Sequence, residues 1–310
     1  MRTPVDEFGL IRRYFTRGAR SDNVVVGVGD DGAVLDYTAG MQQVQVIDTL
    51  VAGVHFPIDA NAADIGYRVV AVNLSDIAAM GAIPRWMTLA LTLDDKDESW
   101  VADFAAGLYE AAAEHGVELV GGDTTSGNVT VATIHITGEV EEGKALLRSG
   151  AQPGDIVYVT GTVGDAAAGL EQLRSGQDDG YLVRRFLRPA ARVAMGRELA
   201  GVATACIDIS DGLVGDLRKL CESSGVGAEI DVDLVPLSAA LVDRCGAAAA
   251  ARFALTGGDD YELCFTAPAG AVEQTDDVTA IGVVLGGAEV ICRRDGEIVD
   301  VDDSGYRHFA

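Results

Sequence analysis

The chain has 310 residues, 48% of them hydrophobic and 23% charged, a balance that fits two folded domains and argues against wholesale disorder. Its formal net charge is −25 and its pI about 4.3, so the surface repels nucleic acid and anionic membranes, and neither is expected as a partner. Only three lysines occur (Lys96, Lys144 and Lys219), and arginine carries nearly all the positive charge.

Five cysteines (Cys206, Cys221, Cys245, Cys264, Cys292) are odd in number and show no C-x-x-C spacing. They fit reduced thiols better than a disulfide framework or a zinc site, and a cytoplasmic location is expected. No basic-then-apolar leader opens the sequence, and no apolar run reaches membrane-spanning length.

In chain order, Glu7 to Phe15 reads as a short amphipathic helix. The apolar run from Val24 leads into Gly27-Val28-Gly29-Asp30-Asp31-Gly32, which has the G-x-G-x-x-G spacing of a dinucleotide turn. That turn receives a pyrophosphate on bare N–H groups at a helix N-terminus, whereas here two aspartates stand where the phosphates would lie and no helical pattern follows. Carboxylates on a glycine turn suit a hard cation such as Mg²⁺. Gln43–Ile47 is a strand running into Asp48, and His55 follows closely. Ala62 to Met80 is a long helix with Asp76 read in its middle, Trp86–Leu93 a strand, and Asp97 to His115 a helix. Val117–Val120 is a strand ending in Gly121-Gly122-Asp123, and Val129–Val140 alternates as a strand should. Gly, Ser and Pro gather between Lys144 and Pro153, so the domains are set at 1–147 and 148–310.

The second half opens with the strand Ile156–Thr160 and a helix from Ala166 to Leu173. A helix near Ala190–Leu199, the turn Asp208-Ile209-Ser210-Asp211, a helix to about Ser223 and a strand near Ala228–Val232 follow. Then comes the stretch Gly257-Gly258-Asp259-Asp260-Tyr261. Strands and helices mix without strict alternation, which predicts an α+β fold of mixed or antiparallel sheets with helices packed on one face.

One pattern recurs: an apolar strand ends in a turn that presents aspartate, at Asp30 and Asp31, Asp48, Asp123, Asp208 and Asp211, and Asp259 and Asp260. One such residue alone reads as a turn former or helix cap, but the repetition reads as a metal-binding set. Asp76 belongs with it, because a carboxylate among Ala, Ile, Leu and Met is costly to bury unless paired or metal-bound. Other templates fail. The stretch from Gly138 to Ala145 matches a phosphate-binding loop down to Lys144, yet Ala145 replaces the hydroxyl residue and three glutamates fill the loop. No kinase H-R-D or D-F-G and no G-x-S-x-G elbow occurs, and the four histidines lack zinc spacing.

The stretches GVGDDGA (27–33), DTLVAGVHF (48–56), AVNLSDIAAMGAIP (71–84), LVGGDTT (119–125), RSGAQPGD (148–155), YVTGTVGDAAAGL (158–170), IDISDGL (207–213), LTGGDDYELCF (255–265) and GYRHF (305–309) span nearly the whole chain. Together they resemble the thiamine-monophosphate kinases of the aminoimidazole-ribonucleotide-synthetase-like superfamily. The resemblance implies a two-domain architecture of that superfamily and a homodimer built from the N-terminal domains. It implies γ-phosphoryl transfer from ATP to thiamine monophosphate, the final step in making thiamine diphosphate, with several Mg²⁺ ions and room for a monovalent cation. It implies Mg²⁺ ligands at Asp30, Asp31, Asp48, Asp76, Asp123, Asp208 and Asp211, with Asp31, Asp48, Asp123 and Asp208 catalytic. It places ATP near Gly122, Asp123, Arg148 and Ser210, with Tyr109 stacking on adenine, and thiamine phosphate near His55, Asp259 and Tyr306.

Two departures from the family pattern stand out. Val46 and Ile47 precede Asp48 where relatives usually carry hydroxyls, and Asp259 stands where many carry Glu. Rival readings are a sibling synthetase of the same superfamily or a non-catalytic acidic protein that binds divalent cations. Against the siblings, no cysteine occurs before Cys206, and the chain ends in His308-Phe309-Ala310 rather than in a cysteine.

Overall fold

The computed structural model describes residues 7–17, 21–94, 97–177 and 179–301, so Tyr306 and the GYRHF stretch lie outside the described residues. By backbone proximity the chain divides into two compact units, one of residues 1–77 and 82–143, the other of residues 78–81 and 144–310.

The first unit opens with α1 (Glu7–Leu10), continued by a wider π-type turn over Ile11–Phe15. The hairpin β1 (Val24–Val26) and β2 (Val34–Leu35) follows. Then come β3 (Met41–Val51), α2 (Ala62–Ala79), β4 (Ile83–Leu93), α3 (Glu98–His115), β5 (Glu118–Ser126) and β6 (Val131–Glu141). The sheet order is β3-β6-β4-β5, antiparallel except for the β4–β5 pair, whose crossover is α3. Buried Ala132, Ile134 and Ile136 alternate along β6 with half-buried neighbours, so one sheet face makes the core. Ile77 of α2 reaches that core, its Cδ1 standing 3.0 Å from where a Cβ on Gly138 would be.

Local chemistry explains the helix ends. The Asp97 side chain accepts the Trp100 N–H at 2.9 Å and starts α3, and Gly116 closes it at φ 68°. Helices α2 and α3 meet backbone to backbone, since a Cβ on Gly107 would stand 1.7 Å from the Ala63 carbonyl oxygen. No side chain fits there.

The second unit contains β7 (Ile156–Thr160), α4 (Asp165–Arg174), α5 (Tyr181–Leu187), α6 (Val193–Leu199), β8 (Ala205–Asp208), α7 (Leu213–Ser224) and β9 (Gly227–Asp231). It continues with α8 (Ala239–Cys245), α9 (Ala247–Thr256), β10 (Leu263–Ala267), β11 (Val278–Leu285), β12 (Val290–Arg294) and β13 (Glu297–Val299). Its seven strands run in the order β13-β12-β9-β11-β7-β10-β8, with β12–β9 the parallel pair. The amphipathic α7 buries Leu213, Val214, Leu217, Leu220 and Cys221 against Val157, Val159, Ile207, Cys264 and Ile281 of the strands.

Mixed sheets with helices packed on one face are what the sequence predicts. Four local expectations need correction, the first being that Asp259 and Asp260 follow helix α9 and not an apolar strand. Asp48 lies inside β3, which extends to Val51, and Asp123 lies inside β5, which extends to Ser126. Neither occupies a turn at a strand end, because ladder partners on β6 and β4 carry both strands past the aspartates. Asp76 stands in the last turn of α2, not in its middle. The stretch from Gly138 to Ala145 is strand and turn, with Glu139 buried at 1% exposure and receiving the Thr38 N–H at 2.8 Å and Arg85 Nε at 2.9 Å. Burial works against that charge, but Thr38 and Arg85 outweigh it and hold the Glu139 carboxyl below its ordinary range.

Candidate functional site

In the first unit the acidic glycine turn is the tip of the β1–β2 hairpin. Val24 pairs with Leu35 and Val26 with Val34, so Asp30 and Asp31 sit exposed between the strands. The Asp31 N–H donates to Asp30 Oδ1 at 2.9 Å. Val24 and Leu35 pack on Trp86 and Val120, and Tyr37 meets the Trp86 ring edge-on at 5.3 Å. That apolar anchor ties the hairpin to β5 three residues before Asp123.

Register places the other carboxylates. Thr49, Thr133, Ala90 and Asp123 form one row across β3, β6, β4 and β5, and the Thr49 and Thr133 hydroxyls meet at 2.8 Å. Asp48 belongs to the next row, opposite buried Ile134, so strand alternation directs it to the other sheet face from Asp123. Gly122 has φ 153°, and a Cβ there would stand 2.0 Å from the Leu89 carbonyl oxygen, so glycine lets β5 approach β4 beside Asp123. His55 Nδ1 accepts the Val51 N–H at 3.0 Å, which makes Nε2 the proton-bearing nitrogen of the neutral ring. The Tyr109 ring carries the Arg17 guanidinium 3.5 Å from its centroid, and its hydroxyl donates to the Phe15 carbonyl at 3.0 Å. Here Tyr109 anchors the N-terminal segment.

The second unit brings its predicted residues close together. Asp208 is the last residue of β8 and 5% exposed. Beyond it the chain pairs with the 259–262 segment: Ile209 N–H to Glu262 O at 2.8 Å, Tyr261 N–H to Ile209 O at 2.9 Å, and Asp259 N–H to Ser210 O at 2.9 Å. Asp259 and Tyr261 hold left-handed φ values of 73° and 54°, and the Tyr261 hydroxyl donates to Asp259 Oδ1 at 3.1 Å. Two strained residues flanking one position mark a turn that its surroundings over-determine.

Those surroundings are buried polar groups, of which the sequence reading named only Asp260, and that as a turn aspartate of the metal-binding set. Asp260, between the strained residues, is fully buried and accepts the N–H groups of Gly164 and Ala166 at the start of α4. Burial pushes its carboxyl up to about 7, against the pull of those two donors and Arg185. Glu262, also fully buried, takes Arg192 through two contacts of 2.6 and 2.8 Å, Arg185 at 2.9 Å and the Thr160 hydroxyl at 2.6 Å. Asp165 receives Ser238, Thr162 and Tyr181 hydroxyls.

Asp216 is a further missed residue. It is 1% exposed, and its Oδ2 accepts the N–H groups of both Ser210 and Asp211 at 2.9 Å. Lys219 then bridges Asp211 and Asp216. Burial raises the Asp216 carboxyl, opposed by Lys219. An acidic residue in the first turn of a helix, just after a turn needing its N–H groups held, is the signal that could have found it. Arg148 is exposed, and its carbonyl accepts the Ser224 hydroxyl at 3.0 Å, so the end of α7 also steadies the Arg148 loop.

The donors available are hard carboxylate oxygens, the chemistry Mg²⁺ prefers. Among the described residues no three His, Cys, Asp or Glu side chains form a cage that could hold an ion. Mg²⁺ ordinarily takes one or two carboxylates and completes its shell with water and substrate phosphates, and the half-exposed and exposed aspartates fit that mode.

Two domain descriptions match the chain: "AIR synthase related protein, N-terminal domain" over residues 29–140, and its C-terminal counterpart over residues 152–294. The fold and its acidic loops thus define a protein of the AIR-synthase-related class. The chain is 46% identical to the thiamine-monophosphate kinase of Escherichia coli K12, with 98% of each covered. It superposes on the crystal structure of the thiamine-monophosphate kinase from Stenotrophomonas maltophilia K279a with TM-score 0.83, at 41% identity over 94% of this chain and 95% of that one. A structure described as AaThiL complexed with AMPPCP and TMP matches with TM-score 0.81 at 34% identity, covering 93% of each chain. The chain belongs to the thiamine-monophosphate kinase family.

Proposed function

We propose that this chain transfers the γ-phosphate of ATP to thiamine monophosphate, releasing ADP and thiamine diphosphate. The observation that carries this reading is the match along 98% of the chain to a thiamine-monophosphate kinase, in which the acidic stretches fall on folded, mutually braced loops. The AMPPCP and TMP complex of a relative 34% identical supports the pair of substrates.

The acceptor is a phosphate monoester whose second pKa is about 6, so most of it is dianionic at neutral pH and no general base is required. The difficulty is charge: two phosphate anions must approach each other. Mg²⁺ would supply the positive charge that neutralises the phosphates during transfer. Asp30, Asp31, Asp48, Asp76 and Asp123 are assigned as its ligands in the first unit, and Asp208 and Asp211 in the second. Asp31, Asp123 and Asp208 keep the catalytic role that the resemblance implies, and Asp48, on the other sheet face from Asp123, is assigned a different ion. Ser210 and Gly122 offer backbone to the nucleotide, and the Arg148 fork suits phosphate oxygens. Tyr109 is assigned to adenine, which requires Arg17 to leave its ring. His55, through Nε2–H, Asp259 and Tyr306 are each assigned to the thiamine phosphate. Val46 and Ile47 ladder with Ile136 and His135, so their contribution to a metal site would be through backbone carbonyls.

A homodimer through the first unit is proposed as well. Ile47 supports it, standing 64% exposed on the edge strand β3. Sedimentation equilibrium at micromolar concentration gives a dimer mass; a monomer overturns it. No helix among the described residues is long and apolar enough to cross a membrane. The free cysteines support a reducing, cytoplasmic setting.

The deciding assay is ADP release with ATP and Mg²⁺, comparing thiamine monophosphate, free thiamine and no acceptor, with and without chelator and K⁺. Turnover only with thiamine monophosphate, lost on chelation, is expected. Turnover with none of the three sends the reaction to a sibling synthetase.

A further inference from the structure

Lys219 makes two contacts that differ in kind. Its Nζ donates to Asp216 Oδ1 at 2.8 Å and to Asp211 Oδ2 at 2.6 Å. Asp216 lies three residues earlier on the same helix, is 1% exposed, and holds the N–H groups of Ser210 and Asp211 with its other oxygen. Losing a cation there would leave a buried carboxylate uncompensated, so the Asp216 contact is fixed. The Asp211 contact joins a 41% exposed ammonium to a 35% exposed carboxylate in the loop before the helix. Such a pair is screened by water and contributes little, so it is the one that can open.

We propose that Lys219 is a tethered counter-cation: it holds Asp211 while no metal is bound, yields that carboxylate to Mg²⁺ when metal and nucleotide arrive, and stays anchored on Asp216. This rests on the assignment of Asp211 as a metal ligand. Without Lys219, the carboxylates of Asp211 and Asp216 would lose the ammonium that bridges them, and their repulsion would loosen the loop. With it, the loop is preset in its binding shape, and metal must displace one half-exposed ammonium. Asp211 exchanges a singly charged partner for a doubly charged one that prefers oxygen. No covalent bond changes in this exchange.

The low lysine content makes the exchange directly visible. With only three lysines in the chain, the ¹³C-labelled full-length protein gives three ε-methylene signals, each assigned with a lysine-to-arginine variant. On saturation with Mg²⁺ and the non-hydrolysable analogue AMPPCP, monitored by its ³¹P signals, the Lys219 signal shifts, while AMPPCP alone leaves it in place. A Lys219 signal that stays put while the ³¹P signals report bound metal overturns the proposal. Asp211→Asn separates the two layers. Weakened Mn²⁺ binding in that variant sustains the ligand assignment on which Lys219 depends, and unchanged binding removes it.

Discussion

The Asp259 N–H donates to the Ser210 carbonyl at 2.9 Å, so the loop assigned to thiamine phosphate is bonded, backbone to backbone, to the loop assigned to ATP. Asp259 pays for that position with a left-handed φ of 73°. Asparagine tolerates such a φ about as well as aspartate does. Asp259→Asn therefore keeps the turn and loses the charge. The expected outcome is a KM for thiamine monophosphate raised about tenfold, the cost of one charge-assisted contact, with kcat and the KM for ATP little changed. A rise confined to the KM for ATP would move Asp259 to the nucleotide side.

Asp123 stands exposed on β5, in a row with Ala90 and Thr133. An amide there preserves the shape without the negative charge needed for metal. Asp123→Asn should lower turnover by about a thousandfold while changing stability by less than about 0.5 kcal/mol, as for other surface substitutions. Melting temperature and steady-state rate, measured on one preparation, decide it. Near-normal turnover would remove Asp123 from the metal set.

Glu262 is fully buried and joins Arg185, Arg192 and Thr160. Cutting one end of such a network strands the other charges away from water. Glu262→Ala should cost about 3–5 kcal/mol in urea unfolding. A loss below about 1 kcal/mol would mean that water reaches the arginines and satisfies them.

Asp260 makes stability depend on pH. Burial raises its carboxyl from 3.8 to about 7, above its value in the unfolded chain, so the folded state prefers the protonated form. Its contribution is fully present below pH 3.8 and is lost as pH rises through about 7. Between pH 5 and pH 8 the parent should lose stability, and Asp260→Asn, which cannot ionise, should show a flatter slope over the same window. Equal slopes in differential scanning calorimetry would place the proton elsewhere. The absolute stability of the variant is expected to be lower throughout, because an amide has only one acceptor for the N–H groups of Gly164 and Ala166.

The sequence by itself determined the family, the fold class and most helices and strands, because apolar periodicity and turn residues are local properties. It also named the acidic residues, since aspartates among glycines and apolar strands contrast with their neighbours whatever the fold. It misplaced Asp48 and Asp123 at strand ends, because how far β3 and β5 extend depends on ladder partners distant in the chain. Asp216, Lys219, Asp260 and Glu262 were not legible as a group. On paper each is an ordinary charge near a helix or strand. Only the tertiary structure decided that Asp216 clamps the Ser210–Asp211 turn, that Asp260 caps α4 from 94 residues away, and that Glu262 gathers two arginines in a buried site. The physical reason is desolvation: a carboxylate can be left out of water only where several donors converge on it, and convergence from separate parts of the chain is a property of the packed fold.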